Sequence, residues 1–276
     1  MIEAYRRVGD ADAINYGSFS PYLLSHSFGA KVRVPGVDLP PDQLWQVVET
    51  ELMTREDYDF ILDIGWKTFF QEFLTKRVFD DAKVDLLPKN QESIDVLGLW
   101  AKQGIPVLSG GDVTTLFELL CGGRSLEKFF MDLMEIPDKV EAVMNKIVPH
   151  LAITVAKKVI KKGYPIAWVG GWRTAPSMIS SAMWDRFVWP YFRRIVNEVI
   201  NIGLTPLLHL DSNWERELGR FRDFPKGKII AALDGDTDIF KAKEIIGDHL
   251  CLMGDIPANA KLENVQAMVR AAMDNK

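Results

Sequence analysis

The sequence predicts an α/β chain built as a TIM (β/α)8 barrel, and three observations carry that expectation. Short apolar runs alternate with longer helical stretches along most of the chain. The runs are continuously apolar, as parallel strands covered on both faces are. They stop at glycines, aspartates or a histidine, at the strand ends where such barrels keep their chemistry. A doubly wound sheet is the second architecture this alternation allows. The stretch GGDVTTLFELLCGG (110–123) has neither a Walker A lysine nor the dinucleotide-binding glycine spacing, which weakens that alternative.

Taken in order, MIEAYRRVGD (1–10) reads as the end of a helix, and a short strand follows over 11–16. Residues 17–40, rich in Gly, Pro and Ser, read as a long loop. The stretch 55–78 is helical with an interruption at Gly65, and 90–104 is a helix opened by Asn90 and stopped by Gly104. IPVLSGG (105–111) is a strand ending in two glycines. Two helices separated at Pro137 fill 125–163, because proline lacks the N–H that a helix interior needs.

PIAWVGG (165–171) is the next strand, a long helix spans 180–203, and LTPLLHLD (204–211) is a strand. WERELGRF is a helix, KIIAALDGD (228–236) a strand, DIFKAKEIIG (238–247) a helix and HLCLMGDIP (249–257) a strand. LENVQAMVRAAMDN closes the chain as a helix. Only about six good strands stand against the eight of a closed barrel, so the expected barrel is incomplete. The whole of 1–276 is expected to form a single domain.

A formal net charge of −5 argues against nucleic-acid binding, which needs clustered Lys and Arg. The basic run KKVIKK (157–162) reads as a solvated helix end. No apolar stretch is long enough to span a bilayer, and the N-terminus has no apolar signal core. Two cysteines, Cys121 and Cys251, are too few for a disulfide framework. A cytoplasmic location is the resulting expectation. The aromatics of WDRFVWPYF (184–192) recur at helical spacing and read as core.

The strand ends supply the candidate site. His209 and Asp211 are two apart and so face the same way on a strand. Asp234 follows from the next strand end, with Asp112 and Asp255 at others. A His-x-Asp pair with a third ligand can hold zinc. It can equally be a hydrogen-bonded acid–base pair, or a histidine satisfied within the core. Trp172 and Arg173 follow a double glycine that lets a ligand approach the backbone, and arginine grips carboxylates and phosphates. The alternative for Arg173 is a surface side chain covering a loop. Cys251, inside LCLMG, reads as a buried apolar thiol rather than a soft metal ligand.

In this order, VGGWRTAPSMISSAMWDRFVWPYFRRIV, a strand ending LLHLDSNW, and LDGDTDIFKAKEIIGDHLCLMGDIP resemble the uroporphyrinogen decarboxylase superfamily. The likeness runs from about Trp45 onward and is strongest over 165–257. It implies a TIM barrel and an enzyme. The superfamily also contains cobalamin-dependent methyltransferases that use a zinc-bound thiol acceptor. In that branch zinc is held by a His-x-Cys pair and a later Cys; His209 matches the His, and Asp211 stands where the Cys would be. Cys251 lies too early to match the later Cys. The decarboxylase branch grips its substrate with an arginine-rich N-terminal loop, which MIEAYRRVGDADAINYG does not match; Asp12 is the nearest candidate for its carboxylate. Relative to the superfamily pattern, the chain reads as shortened before Met1 and between GDIP and the last helix.

The resemblance therefore implies methyl transfer between a corrinoid partner protein, carrying methylcobalamin, and a small acceptor. In that reading His209, Asp211 and Asp234 are catalytic, His209 and Asp211 hold any zinc, and Trp172, Arg173, Asp112 and Asp255 contact substrate. A metal-free decarboxylase of tetrapyrrole polycarboxylates is the second reading. An inactive barrel remnant with a binding role is the third. Open sheet edges would favour a homodimer.

Overall fold

The computed structural model describes residues 2–9, 11–16, 21–79, 95–161, 163–254 and 260–274. Helix α1 (Ile2–Val8) leads into strand β1 (Ile14–Tyr16). Residues 17–40 are not one long loop: helix α2 (Pro21–Phe28) and strand β2 (Lys31–Arg33) lie within them, and β2 pairs antiparallel with β3 (Gln46–Val48). Pro21 opens α2 and Gly29, with φ of 61°, follows its end, while Ser25 and Ser27 lie within the helix.

Helices α3 (Arg55–Ile64) and α4 (Trp66–Phe73) meet at Gly65, whose φ of 101° ends one helix and starts the next. The Asp57 carboxylate accepts the Thr54 N–H at 2.7 Å and fixes the start of α3. A π-helical turn, Leu74–Val78, completes the predicted helical stretch. Helix α5 (Val96–Ala101) is capped by Asp95, which accepts the Gly98 N–H at 2.8 Å; Asn90 lies outside the described residues. Gly104, with φ of 73°, ends the turn that follows.

Strand β4 (Val107–Thr114) continues three residues beyond the predicted end. One extra residue is absorbed by a bulge between Ser109 and Asp112, which lets the strand pass through Gly110 and Gly111. Helices α6 (Leu116–Arg124), α7 (Leu126–Glu135) and α8 (Pro137–Lys161) follow, with the break at Pro137 as expected. Strand β5 (Ile166–Gly170) leads into helices α9 (Ser181–Phe187) and α10 (Trp189–Asn201). The predicted single helix over 180–203 is divided at Val188, because Pro190 fits only the first turn of a helix. Strand β6 (Thr205–Leu210) is followed by a 3₁₀ stretch, Glu215–Asp223, where an α-helix was expected. Strand β7 (Ile230–Leu233), helix α11 (Ile239–Ile246), strand β8 (Cys251–Met253) and helix α12 (Leu262–Asp274) complete the order.

Six strands form one parallel sheet in the order β1-β4-β5-β6-β7-β8. They are the six runs read from the sequence. The β2–β3 hairpin is a separate two-stranded sheet. Among the described residues the large sheet curls as a half-barrel, an incomplete TIM barrel with helices outside. Its outer face supplies Ala167, Val169, Leu208, Leu210, Ala231 and Leu233 to the main buried core. Residues of the other parity, Ile166, Leu207 and Ala232, form a separate small cluster with Leu108, Trp168 and Ile230 on the concave face. The aromatics of 184–192 lie in the main core as predicted, with Trp184 stacked on Trp189 at 5.6 Å.

Among the described residues β1 and β8 do not pair, but helices α1 and α12 meet, and Gln266 donates to the Arg7 carbonyl at 2.5 Å. No helix among the described residues is long and apolar enough to cross a membrane.

Candidate active site on the concave face

Register fixes which side chains share the lumen. Asp112 pairs with Trp168, and Trp168 with Leu207. One step nearer the C-terminal strand ends, Thr114, Gly170, His209 and Ala232 form the next row. Register partners in parallel strands point to one face, so Trp168 and His209 occupy the lumen. Their rings lie 5.3 Å apart, tilted by 38°. Gly170 makes this contact possible. A Cβ there would sit 2.7 Å from the Trp168 ring and 3.0 Å from the His209 Cβ.

His209 Nε2 lies 2.9 Å from Asp211 Oδ1, so the expected pair forms. Their side chains are 41% and 29% exposed, which leaves them open to a ligand. With Nε2–H donating to Asp211, the imidazole is held in one tautomer and Nδ1 remains an acceptor. The loop beyond is tightly tied. Trp214 Nε1 donates to the Asp211 carbonyl at 2.8 Å, and Ser212 adopts a left-handed φ of 66°. The Asp234 carboxylate accepts the Ser212 N–H at 2.6 Å and the Asp236 N–H at 3.2 Å. Asp234 thus stands beside the pair as expected, but its carboxylate holds the loop backbone.

Four other expectations change with position. Arg173 is wholly buried, not at a rim or on a loop surface. Its backbone N–H donates to Glu118 at 2.7 Å, and its guanidinium donates to Glu118 and Glu49. The guanidinium also lies 4.3 Å over the ring of Trp172, which is itself 36% exposed. Gly171 permits a close approach, but of helix α6 rather than of a ligand: a Cβ would lie 2.6 Å from the Glu118 Cβ. Asp112 lies inside β4 rather than at its end, and accepts from the Ser27 hydroxyl. Cys251 is exposed on β8 instead of buried, because its register partner Ile230 places it on the open concave face. Asp255 lies outside the described residues.

Burial pushes the Glu118 carboxyl upward from its ordinary value; Arg173 pulls against this, and nearby Asp211 adds to the rise. Burial likewise pushes the Cys121 thiol up, which keeps it protonated and inert.

The donor set tests whether the pair suits zinc. Zinc is held by at least three protein ligands. Among the described residues no group of three His, Cys, Asp or Glu side chains is placed to hold a metal ion. His209 and Asp211 bond each other, and Asp234 is engaged with backbone. The described residues do not fit a zinc site.

Sequence reasoning missed Trp168, Ser27, Glu118 and Glu49, and read Gly170 only as half of the double glycine that lets a ligand approach. One available signal was parity: in IAWVG, Trp168 and Gly170 alternate on the face that His209 shares.

An α/β half-barrel with a His–Asp pair in its lumen defines the class. A solved methyltransferase from Methanosarcina mazei has the same fold, with a TM-score of 0.66 over 99% of this chain and 83% of that chain, at 15% identity. No curated protein matches the chain. The family model described as Uroporphyrinogen decarboxylase (URO-D) matches residues 80–275. The chain belongs to the uroporphyrinogen decarboxylase family.

Proposed function

We propose that the chain is an enzyme of this family that moves a methyl group between a corrinoid, carried by a partner protein, and a small molecule seated on the concave face. The observation that carries the reading is the His209–Asp211 pair beside Trp168, half-exposed in the lumen. The corrinoid would supply the methyl group, and His209 Nδ1 would take the proton that a small acceptor must lose. Asp211 orients the imidazole by accepting its Nε2–H, which leaves Nδ1 facing the acceptor. Trp168 and the row around it position the acceptor, which is most of what methyl transfer asks of a protein. The structural likeness to a methyltransferase supports the fold of this reading.

A metal-free decarboxylase of tetrapyrrole polycarboxylates calls for a basic cleft. The six strands of the sheet contain no Lys or Arg, which disfavours that second reading.

The test offers methylcob(III)alamin with small amines and thiols to wild-type protein and to His209→Ala, with zinc per chain measured in both. The expected result is demethylation of the corrinoid by wild type, loss of about a hundredfold or more in His209→Ala, and zinc far below one per chain. Uroporphyrinogen decarboxylation without methyl transfer would replace the reading with the second one. Zinc near one per chain, lost on substituting His209, would make the pair metal ligands.

A further inference from the structure

We propose that the small ligand of this site is cationic: an aliphatic ammonium seated on the Trp168 ring between the carboxylates of Asp112 and Asp211. The inference rests on reading the lumen as the substrate pocket and adds the chemical class of the substrate. Trp168 is flanked on both sides. Asp112 is its register partner on β4, and on β6 His209 lies 5.3 Å from its ring and carries Asp211 at 2.9 Å. An indole face attracts a cation, more strongly as water is excluded.

The charges of the surrounding walls favour the same sign. The strands INY, VLSGGDVT, IAWVG, TPLLHL, IAAL and CLM contain neither Lys nor Arg. The arginines of the adjacent strand-end loops are already paired. Arg173 is buried against Glu118 and Glu49, and Arg216 donates to Glu217 at 2.7 Å and to the Pro176 carbonyl at 2.8 Å. A carboxylate or phosphate on this face would meet Asp112 and Asp211 and leave its charge uncompensated by the strands.

An ammonium meets the ring face and two carboxylates, and can donate its N–H to His209 Nδ1. Transfer of that proton to Nδ1 leaves a neutral amine. Its nitrogen lone pair would then be free to form the new N–C bond, and a methyl-corrinoid donor would keep the electron pair of the bond that breaks.

The experiment compares three probes of one branched shape and different charge: trimethylammonium, tert-butanol and pivalate. Their binding is measured calorimetrically to wild type, Asp112→Asn and Trp168→Leu, with circular dichroism confirming that each variant is folded. Asn at 112 keeps an acceptor for Ser27. Wild type is expected to bind trimethylammonium about tenfold tighter than tert-butanol, and pivalate least. Each substitution is expected to weaken trimethylammonium about fivefold to tenfold and to change tert-butanol by less than about twofold. Equal affinity for the three probes, a preference for pivalate, or unchanged trimethylammonium binding in both folded variants would overturn the proposal. These measurements are independent of turnover. Methyl transfer that depends on His209 without cation preference sinks only this inference. Cation binding without methyl transfer sinks only the activity.

Discussion

Position 170 shows how a single missing side chain shapes the pocket. The Trp168 ring and the His209 Cβ already fill the space that a Cβ would need. Gly170→Ala should therefore fold but lose about 1–3 kcal/mol to overpacking, and its larger effect should fall on ligand binding, because Trp168 must swing off His209. Urea unfolding and probe titration on the same variant separate the two. Unchanged binding would mean that Trp168 is not a wall of the site. The pair at 209 and 211 was legible in the sequence because two residues of matching parity at a strand end need no tertiary information. Trp168 was not, since a tryptophan within an apolar strand reads as core. Arg173 was misplaced for a related reason. Its partners Glu118 and Glu49 lie 55 and 124 residues away, and nothing local marks an arginine as paired over that distance.

At the level of elements, buried arginines fasten the segments around the sheet. Arg124, at the end of α6, donates to Asp132 of α7 at 2.6 Å and also to Glu51. Arg55 and Tyr58 of α3 converge on the same Asp132 at 2.6 and 2.9 Å. Burial works to raise the Asp132 carboxyl, but hydrogen bonds from Arg124, Arg55 and Tyr58 outweigh it and hold the group below its ordinary value. A carboxyl lowered on folding adds stability that is present above its unfolded value, about 4, and lost as pH falls through the folded value. Asp132→Asn should cost about 2–3 kcal/mol at pH 7, where it takes from Arg124 its buried charge partner and leaves it only the half-exposed Glu51. It should also flatten the loss of stability between neutral and acid pH. Urea midpoints near pH 7 and pH 3 check this, and parallel losses in wild type and variant would refute it. The sequence displayed the six parallel strands because both-face burial writes itself as continuous apolar runs. It hid α2, β2 and β3 because elements this short have too few residues to establish a period.

Across the whole molecule, stability is distributed unevenly along the sheet. Strands β5, β6 and β7 are paired on both sides and pack through Val169, Leu208 and Ala231 onto the main core. The edges are different. Helix α1 buries no residue, and β8 has Cys251 and Met253 exposed. Among the described residues the two ends are joined by the contact of α1 with α12 and by the bond from Gln266 to the Arg7 carbonyl. Segments with few buried contacts open locally well below the global unfolding free energy. Amide exchange in α1, α12 and β8 should therefore be orders of magnitude faster than in β5, β6, β7 and α10, whose amides should exchange only on global unfolding, at about 5–15 kcal/mol. Gln266→Ala should speed exchange in α1 and α12 while leaving β6 unchanged. Mass-spectrometric hydrogen exchange resolves these peptides. Equal protection of α12 and α10 would show that the two ends form a closed wall as firm as the core. Fast exchange would instead make the β1–β8 side the soft wall of the lumen, where, among the described residues, each of these strands has one edge without a strand partner.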